Sequence, residues 1–109
     1  MTKEELIKIA KEKDACEEGL LWMKDHEIED LKSREAVHLG YWIWVWRSVP
    51  ECRYQIRHDK AVLDEFIKDG DWRVREAVAE QGYGLYKLIN DRDCDVRNAA
   101  IVSIKYKNN

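Results

Sequence analysis

Asp71 stands four residues before Arg75, and Asp93 four residues before Arg97, with the two pairs 22 positions apart. An arginine fork grips a carboxylate or a phosphate through two parallel N–H···O bonds, so this spacing is equipped for anion chemistry. Two uses follow. With Arg53 in the same column, Arg53, Arg75 and Arg97 would form a cationic stripe, extended by Lys105 and Lys107, for nucleic-acid phosphates. Alternatively, each arginine meets the aspartate that arrives with it, or one in the neighbouring unit. The set Asp71, Arg75, Asp93 and Arg97 is then a structural ladder. The ladder is the reading adopted, because both clear copies bring their own acid. Aspartate is also a favoured residue at a helix start, where it accepts backbone N–H bonds and suits the positive helix end.

The remaining reactive side chains do not converge. His26, His38 and His58 are too far apart for a local metal motif, and no cysteine lies at ligand spacing from them. Glu17 and Glu18, like Glu29 and Asp30, are adjacent, which places them on different helix faces and not as an acid–base pair. Ser33, Ser48 and Ser103 lack a GxSxG setting. No catalytic residue, metal or cofactor is expected, and the expected work is binding. The acidic segment 25–30, with Asp25, Glu27, Glu29 and Asp30, is the candidate surface for a basic protein partner. Of the five tryptophans, Trp22, Trp42 and Trp46 are expected to share an aromatic core, whereas Trp44 and Trp72 are the candidates for an exposed anchor.

What must position these residues is a repeat. Shifting residues 63–79 by 22 onto 85–101 gives 7 identities over 17 positions, where unrelated sequence gives roughly one. The unit reads LxxxIxDxDxxVRxA. One short helix offers Leu63, Phe66 and Ile67, then Leu85, Leu88 and Ile89; its partner offers Val74, Ala77 and Val78, then Val96, Ala99 and Ala100. Large residues facing small ones permit close stacking, and a unit of this size cannot bury its apolar face alone. A weaker third copy aligns Tyr41, Trp44, Val45, Cys52, Arg53 and Ile56, but Arg47 and Val49 stand where its acidic pair should be.

Start signals for helices recur ahead of these units. Thr2-x-x-Glu5, Asp14-x-x-Glu17 and Ser48-x-x-Glu51 read as capping boxes, and Ser33, Asp59, Asp71 and Asp93 as caps. Residues 25–30 read as a loop or an irregular turn. The run YWIWVW at 41–46 has a strand-like alternation, but nothing nearby offers a partner strand, and a fully covered helix gives the same run; helix is adopted.

Composition sets the outer limits. With 109 residues, 45% apolar and 38% charged, the chain reads as one all-α domain, an N-terminal helical cap over 1–48 and short repeats over 49–109. The longest apolar run is far too short for a bilayer, and no secretory signal opens the sequence. Cys16, Cys52 and Cys94, odd in number and widely spaced, read as buried free thiols in a reducing cytoplasm. The net charge of −3 leaves no basic arm, so nucleic acid is not an expected partner.

DGDWRVREAVAEQG followed by LYKLINDRDCDVRNAA resembles the HEAT-like and leucine-rich-repeat-variant class of helical solenoids, over roughly residues 59–104. That resemblance implies a right-handed helical array that binds proteins or, in a few members, DNA, with no shared catalytic residues. The cysteine-rich iron–sulfur site of one such lineage has no counterpart here. A second, looser pattern is Ala15-Cys16-Glu17-Glu18-Gly19 with Trp22, then Ser33, Glu35, Ala36, Gly40, Trp42 and Trp46. It is similar to small bacterial and phage proteins and implies a small accessory or inhibitor protein.

Overall fold

Helices supply all the regular structure, and no strand occurs among the described residues. In the computed structural model, which describes residues 1–107, the order is α1 Lys3–Glu12, α2 Glu17–Asp25, α3 Arg34–His38, α4 Tyr41–Ser48, α5 Arg53–Ile56, α6 Lys60–Phe66, α7 Trp72–Glu80, α8 Leu85–Leu88 and α9 Cys94–Lys107. Short 3-10 turns cover Ile28–Lys32 and Pro50–Cys52. No helix of the described residues is long and apolar enough to cross a membrane. The chain divides into two compact units, Met1–Arg57 and His58–Asn109.

In the first unit α1 packs on α2, and α3 on α4. The run 41–46 is helical because Trp42, Val45 and Trp46, at i, i+3 and i+4, all face the core. The Trp42 and Trp46 rings stack 4.9 Å apart, and the Trp42 indole N–H donates to the Ile56 carbonyl at 2.9 Å. That bond holds α5 to α4, so residues 49–57, read from sequence as the start of the repeats, lie in the first unit. Gly40, at φ +86°, ends α3 and lets the chain turn into α4.

Two caps are corrected and one segment is refined. The cap of α2 is Cys16, whose sulfur accepts the Gly19 N–H, and not Asp14, which sits in a left-handed turn at φ +59°. Ser48 belongs to the last turn of α4, where its carbonyl takes the Lys13 ammonium, so it caps no following helix; the 3-10 turn starts at Pro50 without a side-chain cap. In segment 25–30 the turn alternative holds for the later residues, and its first residue is helical. Asp25 ends α2, and Ile28 and Leu31 bury themselves and wind the backbone into a 3-10 turn.

In the second unit α6 packs on α7, and α7 on α9, which α8 also contacts. Asp59 and Asp71 cap their helices through the Val62 and Arg73 N–H groups. Alanines 77, 79, 99 and 100 are buried along α7 and α9, leaving these two helices free to approach closely. Gly84 precedes α8 at φ +62°, and a Cβ there would lie 2.3 Å from the Ile67 Cδ1 methyl. Replacing Gly84 by Ala forces both a left-handed alanine and displacement of that methyl. The expected loss is about 1–2 kcal/mol. Gly70→Ala, where a Cβ meets nothing within 4 Å, is the control in the same denaturant titration.

Candidate interaction site

The arginine of the first clear repeat is buried. Arg75 donates from Nε to Asp91 Oδ2 at 2.9 Å, from Nη2 to Asp91 Oδ1 at 3.1 Å, and from Nη1 to the Asp69 carbonyl at 2.8 Å. The fork therefore holds the first aspartate of the following unit, not Asp71. Asp71 and Asp93 are occupied as caps: Asp71 accepts from the Arg73 N–H, and Asp93 from those of Asp95 and Val96. Asp69 and Asp91 each fold a turn by accepting the N–H two residues on, from Asp71 and Asp93, at 2.9 Å. Thus each unit has one aspartate for its turn and one for its helix, and the turn aspartate Asp91 receives the arginine of the previous unit, Arg75. Sequence reasoning left Asp91 out, although Asp69 and Asp91 coincide in the 22-residue alignment and carried the signal.

Hydrogen bonding to Asp91 raises the Arg75 pKa above its ordinary value against the opposing effect of burial. At Asp91, burial pushes upward. The bonds from Arg75 and the Asp93 N–H, with the charges of Arg75 and Arg92, outweigh it and hold the carboxyl below the usual range.

The other two arginines of the column differ. Arg53 donates from Nε to the Trp46 carbonyl at 2.6 Å and lies 5.3 Å from the Trp46 ring centroid. Arg97 repeats only half of the Arg75 pattern, with Nη1 on the Asp91 carbonyl at 2.8 Å, and is half-buried. Lys105 is exposed; the Lys107 side chain lies outside the described residues.

Asp25, Glu27, Glu29 and Asp30 are all exposed. Asp30 accepts the Glu27 N–H at 2.8 Å, and the Lys3 ammonium stands 3.9 Å from Glu27, so two of the four already have local work. Trp44 is half-buried and lines a groove of about 310 Å³ with Cys16, Met23, Leu39 and Tyr41. Gly19 forms part of its floor, with a Cβ position 3.6 Å from the Tyr41 ring. Trp72 is half-buried in the first turn of α7, with the Arg73 guanidinium 5.4 Å from its ring. Trp22 stacks on His26 at 4.0 Å and tilts against Tyr41.

His58 is buried and joined to Gln81 through both its N–H and its ring Nδ1. Of the cysteines only Cys52 is buried, and burial pushes its thiol pKa up; Cys16 and Cys94 are exposed, against expectation. Cys16 serves the start of α2 at the surface, and Cys94 opens α9 there. Asp93, Cys94 and Asp95 bring potential ligand atoms within 4.8 Å, but they form the solvent-facing first turn of α9, where Asp93 is already the cap.

Large side chains stand in water on the second unit: Tyr86, Ile101, Val102 and Tyr106. Sequence reading passed over them, because each sits at a helical spacing that a covered face would share. Comparison with family models, curated proteins and solved structures returns no match, so the functional reading rests on these residues.

Two outcomes are expected. Asp91→Asn strips the Arg75 fork of its counter-charge inside the protein and should cost about 3 kcal/mol near neutral pH. Because the folded Asp91 pKa is depressed, its contribution is full above the ordinary carboxylate value and fades as pH falls through the folded one. The gap between wild type and variant, measured by denaturation from pH 7 downward, should therefore close at acid pH. Asp71→Ala removes a cap and should lower stability by about 0.5–2 kcal/mol in the same assay; an unchanged midpoint would refute that role.

Proposed function

We propose that this chain is a non-enzymatic protein–protein interaction module whose second unit is a short helical-repeat array of the HEAT-like kind. The array reading is supported by contacts that recur at the 22-residue step. Asp69 and Asp91 make the same turn, and Arg75 and Arg97 the same bond to the carbonyl six residues back. The observation that carries the function is the exposure of Tyr86, Ile101, Val102 and Tyr106, four large side chains of the second unit. Large apolar and tyrosine side chains left in water are the kind that protein partners cover. The acidic turn with Asp25, Glu27, Glu29 and Asp30 offers a further surface for a basic partner. Three free cysteines suit a reducing, cytoplasmic compartment.

Affinity capture from source cells with the full chain, run beside a Tyr86→Ser/Ile101→Glu variant, tests this reading. Both residues are exposed, so the variant should fold; it should lose a partner that wild type retains. Identical capture by both proteins would remove the second-unit surface from the proposal.

The rival use of the arginine column on nucleic acid finds little support, since Arg75 is buried on Asp91 and Arg53 is bound to Trp46. At about 0.15 M salt no binding to DNA or RNA is expected, even in the range of about 10⁻⁴–10⁻⁶ M typical of nonspecific binders. Micromolar binding in a fluorescence-anisotropy titration, lost when Arg53 and Arg97 are replaced together in a chain that keeps its helical circular dichroism, would reverse the assignment.

A further inference from the structure

The second unit contains its own template for what should cover its last layer. Four positions on α6, its C-terminal cap Ile67 and α7 are met by segment 83–103. Asp64 takes the Tyr83 hydroxyl, and Ile67 closes over Gly84. Arg75 clasps Asp91, and the Ala79 carbonyl accepts from Ser103 Oγ at 2.6 Å. Twenty-two residues on, the same columns hold Tyr86, Ile89, Arg97 and Ile101. Ala79 is 0% exposed, whereas Ile101 is 53% exposed; Asp64 has its tyrosine, whereas Tyr86 is 88% exposed. Arg75 binds a carbonyl and a carboxylate. Arg97 binds the equivalent carbonyl and, among the described residues, no carboxylate.

We infer that the face formed by Tyr86, Ile89, Arg97 and Ile101 docks a helical segment of a partner protein that presents an aspartate or glutamate to Arg97, as Asp91 is presented to Arg75. Charge complementarity selects the occupant. A guanidinium already fixed by one backbone bond has its remaining N–H groups preset for a two-point carboxylate contact. The apolar rim of Ile89 and Ile101 excludes water around that contact and strengthens it. This inference rests on the interaction-module reading and adds the chemistry of the partner.

A labelled synthetic peptide with this chain's own sequence 82–106, which carries Asp91, is a direct probe. It is titrated into the full-length chain. Saturable binding is expected. Either Asp91→Asn in the peptide or Arg97→Gln in the chain should weaken it about tenfold or more, as expected for loss of a charge-assisted bidentate contact. Arg97→Lys keeps the charge without the fork and should fall between the two. Ile101→Glu, an exposed change, should also weaken binding. Circular dichroism of each variant should keep the wild-type form, and binding is compared far below each unfolding midpoint, since Arg97→Gln also removes its bond to the Asp91 carbonyl; this separates docking from folding.

No saturable binding by wild type overturns the inference. So does equal affinity for the Arg97→Gln chain, or an Arg97→Lys chain that binds like wild type. Self-association seen by sedimentation and abolished by Arg97→Gln would make a second copy the occupant and overturn it as well. The capture experiment above is independent. A partner held by wild type and by Arg97→Gln, yet lost with Tyr86→Ser/Ile101→Glu, keeps the interaction module and discards the carboxylate.

Discussion

The clasp between Arg75 and Asp91 is the constraint on which the second unit depends. Both side chains are nearly out of solvent, at 7% and 10% exposure, and such a pair is costly to desolvate unless its bonding capacity is filled. It is filled here. The guanidinium uses Nε and Nη2 on the carboxylate and Nη1 on the Asp69 carbonyl, while the carboxylate also accepts the Asp93 N–H. The surrounding core of alanine and valine on α7 and α9 supplies burial but few directional contacts. Sliding one helix along the other would cost little in apolar area, yet it would strand a buried cation. We therefore assign to the clasp the setting of register between the two repeats, a role buried polar pairs are known to fill.

The first unit solves a different problem. Its helices are short, so a large share of its backbone carbonyls lies in last turns with no partner inside the helix. Long side chains from elsewhere in the unit reach them. Lys3 bonds the Lys24 carbonyl at the end of α2, Lys13 and Arg53 bond those of Ser48 and Trp46 at the end of α4, and Trp42 bonds that of Ile56 at the end of α5. Cations suit the negative helix end, and the indole does the same work where the setting is buried. The tryptophan-rich stretch is thus a core and a set of fasteners together.

Periodicity carried far along this chain where physics is local. Caps at Thr2, Ser33, Asp59, Asp71 and Asp93 were legible because a short polar side chain before an apolar face has few other uses. The helical state of 41–46 was legible from the want of a partner strand. Misreadings arose where two signals overlapped. Ser48-x-x-Glu51 has the letters of a capping box, but Val45 and Val49 are both buried and the Val49 N–H donates to the Val45 carbonyl, which keeps the serine in the last turn of α4. Asp14 and Cys16 compete for one helix start, and the aspartate was displaced into a left-handed turn. The identity of the Arg75 partner was hidden because sequence spacing ranks Asp71 first, whereas Asp71 oxygens are committed to their own helix. The exposed side chains were not legible at all, since Ile101 has the spacing of a buried residue and yet stands 53% exposed.

The clasp also has a polarity. Its cation, Arg75, comes from the earlier repeat and its carboxylate, Asp91, from the later one, so the joint has a donor side and an acceptor side. Two copies brought together by a twofold axis through the Arg97 face would set guanidinium against guanidinium in a partly apolar setting. Like charges so placed oppose association by several kcal/mol. The inferred docking on that face is therefore heterologous: the occupant brings the carboxylate side of the joint, and a twofold pairing of the face with itself is disfavoured.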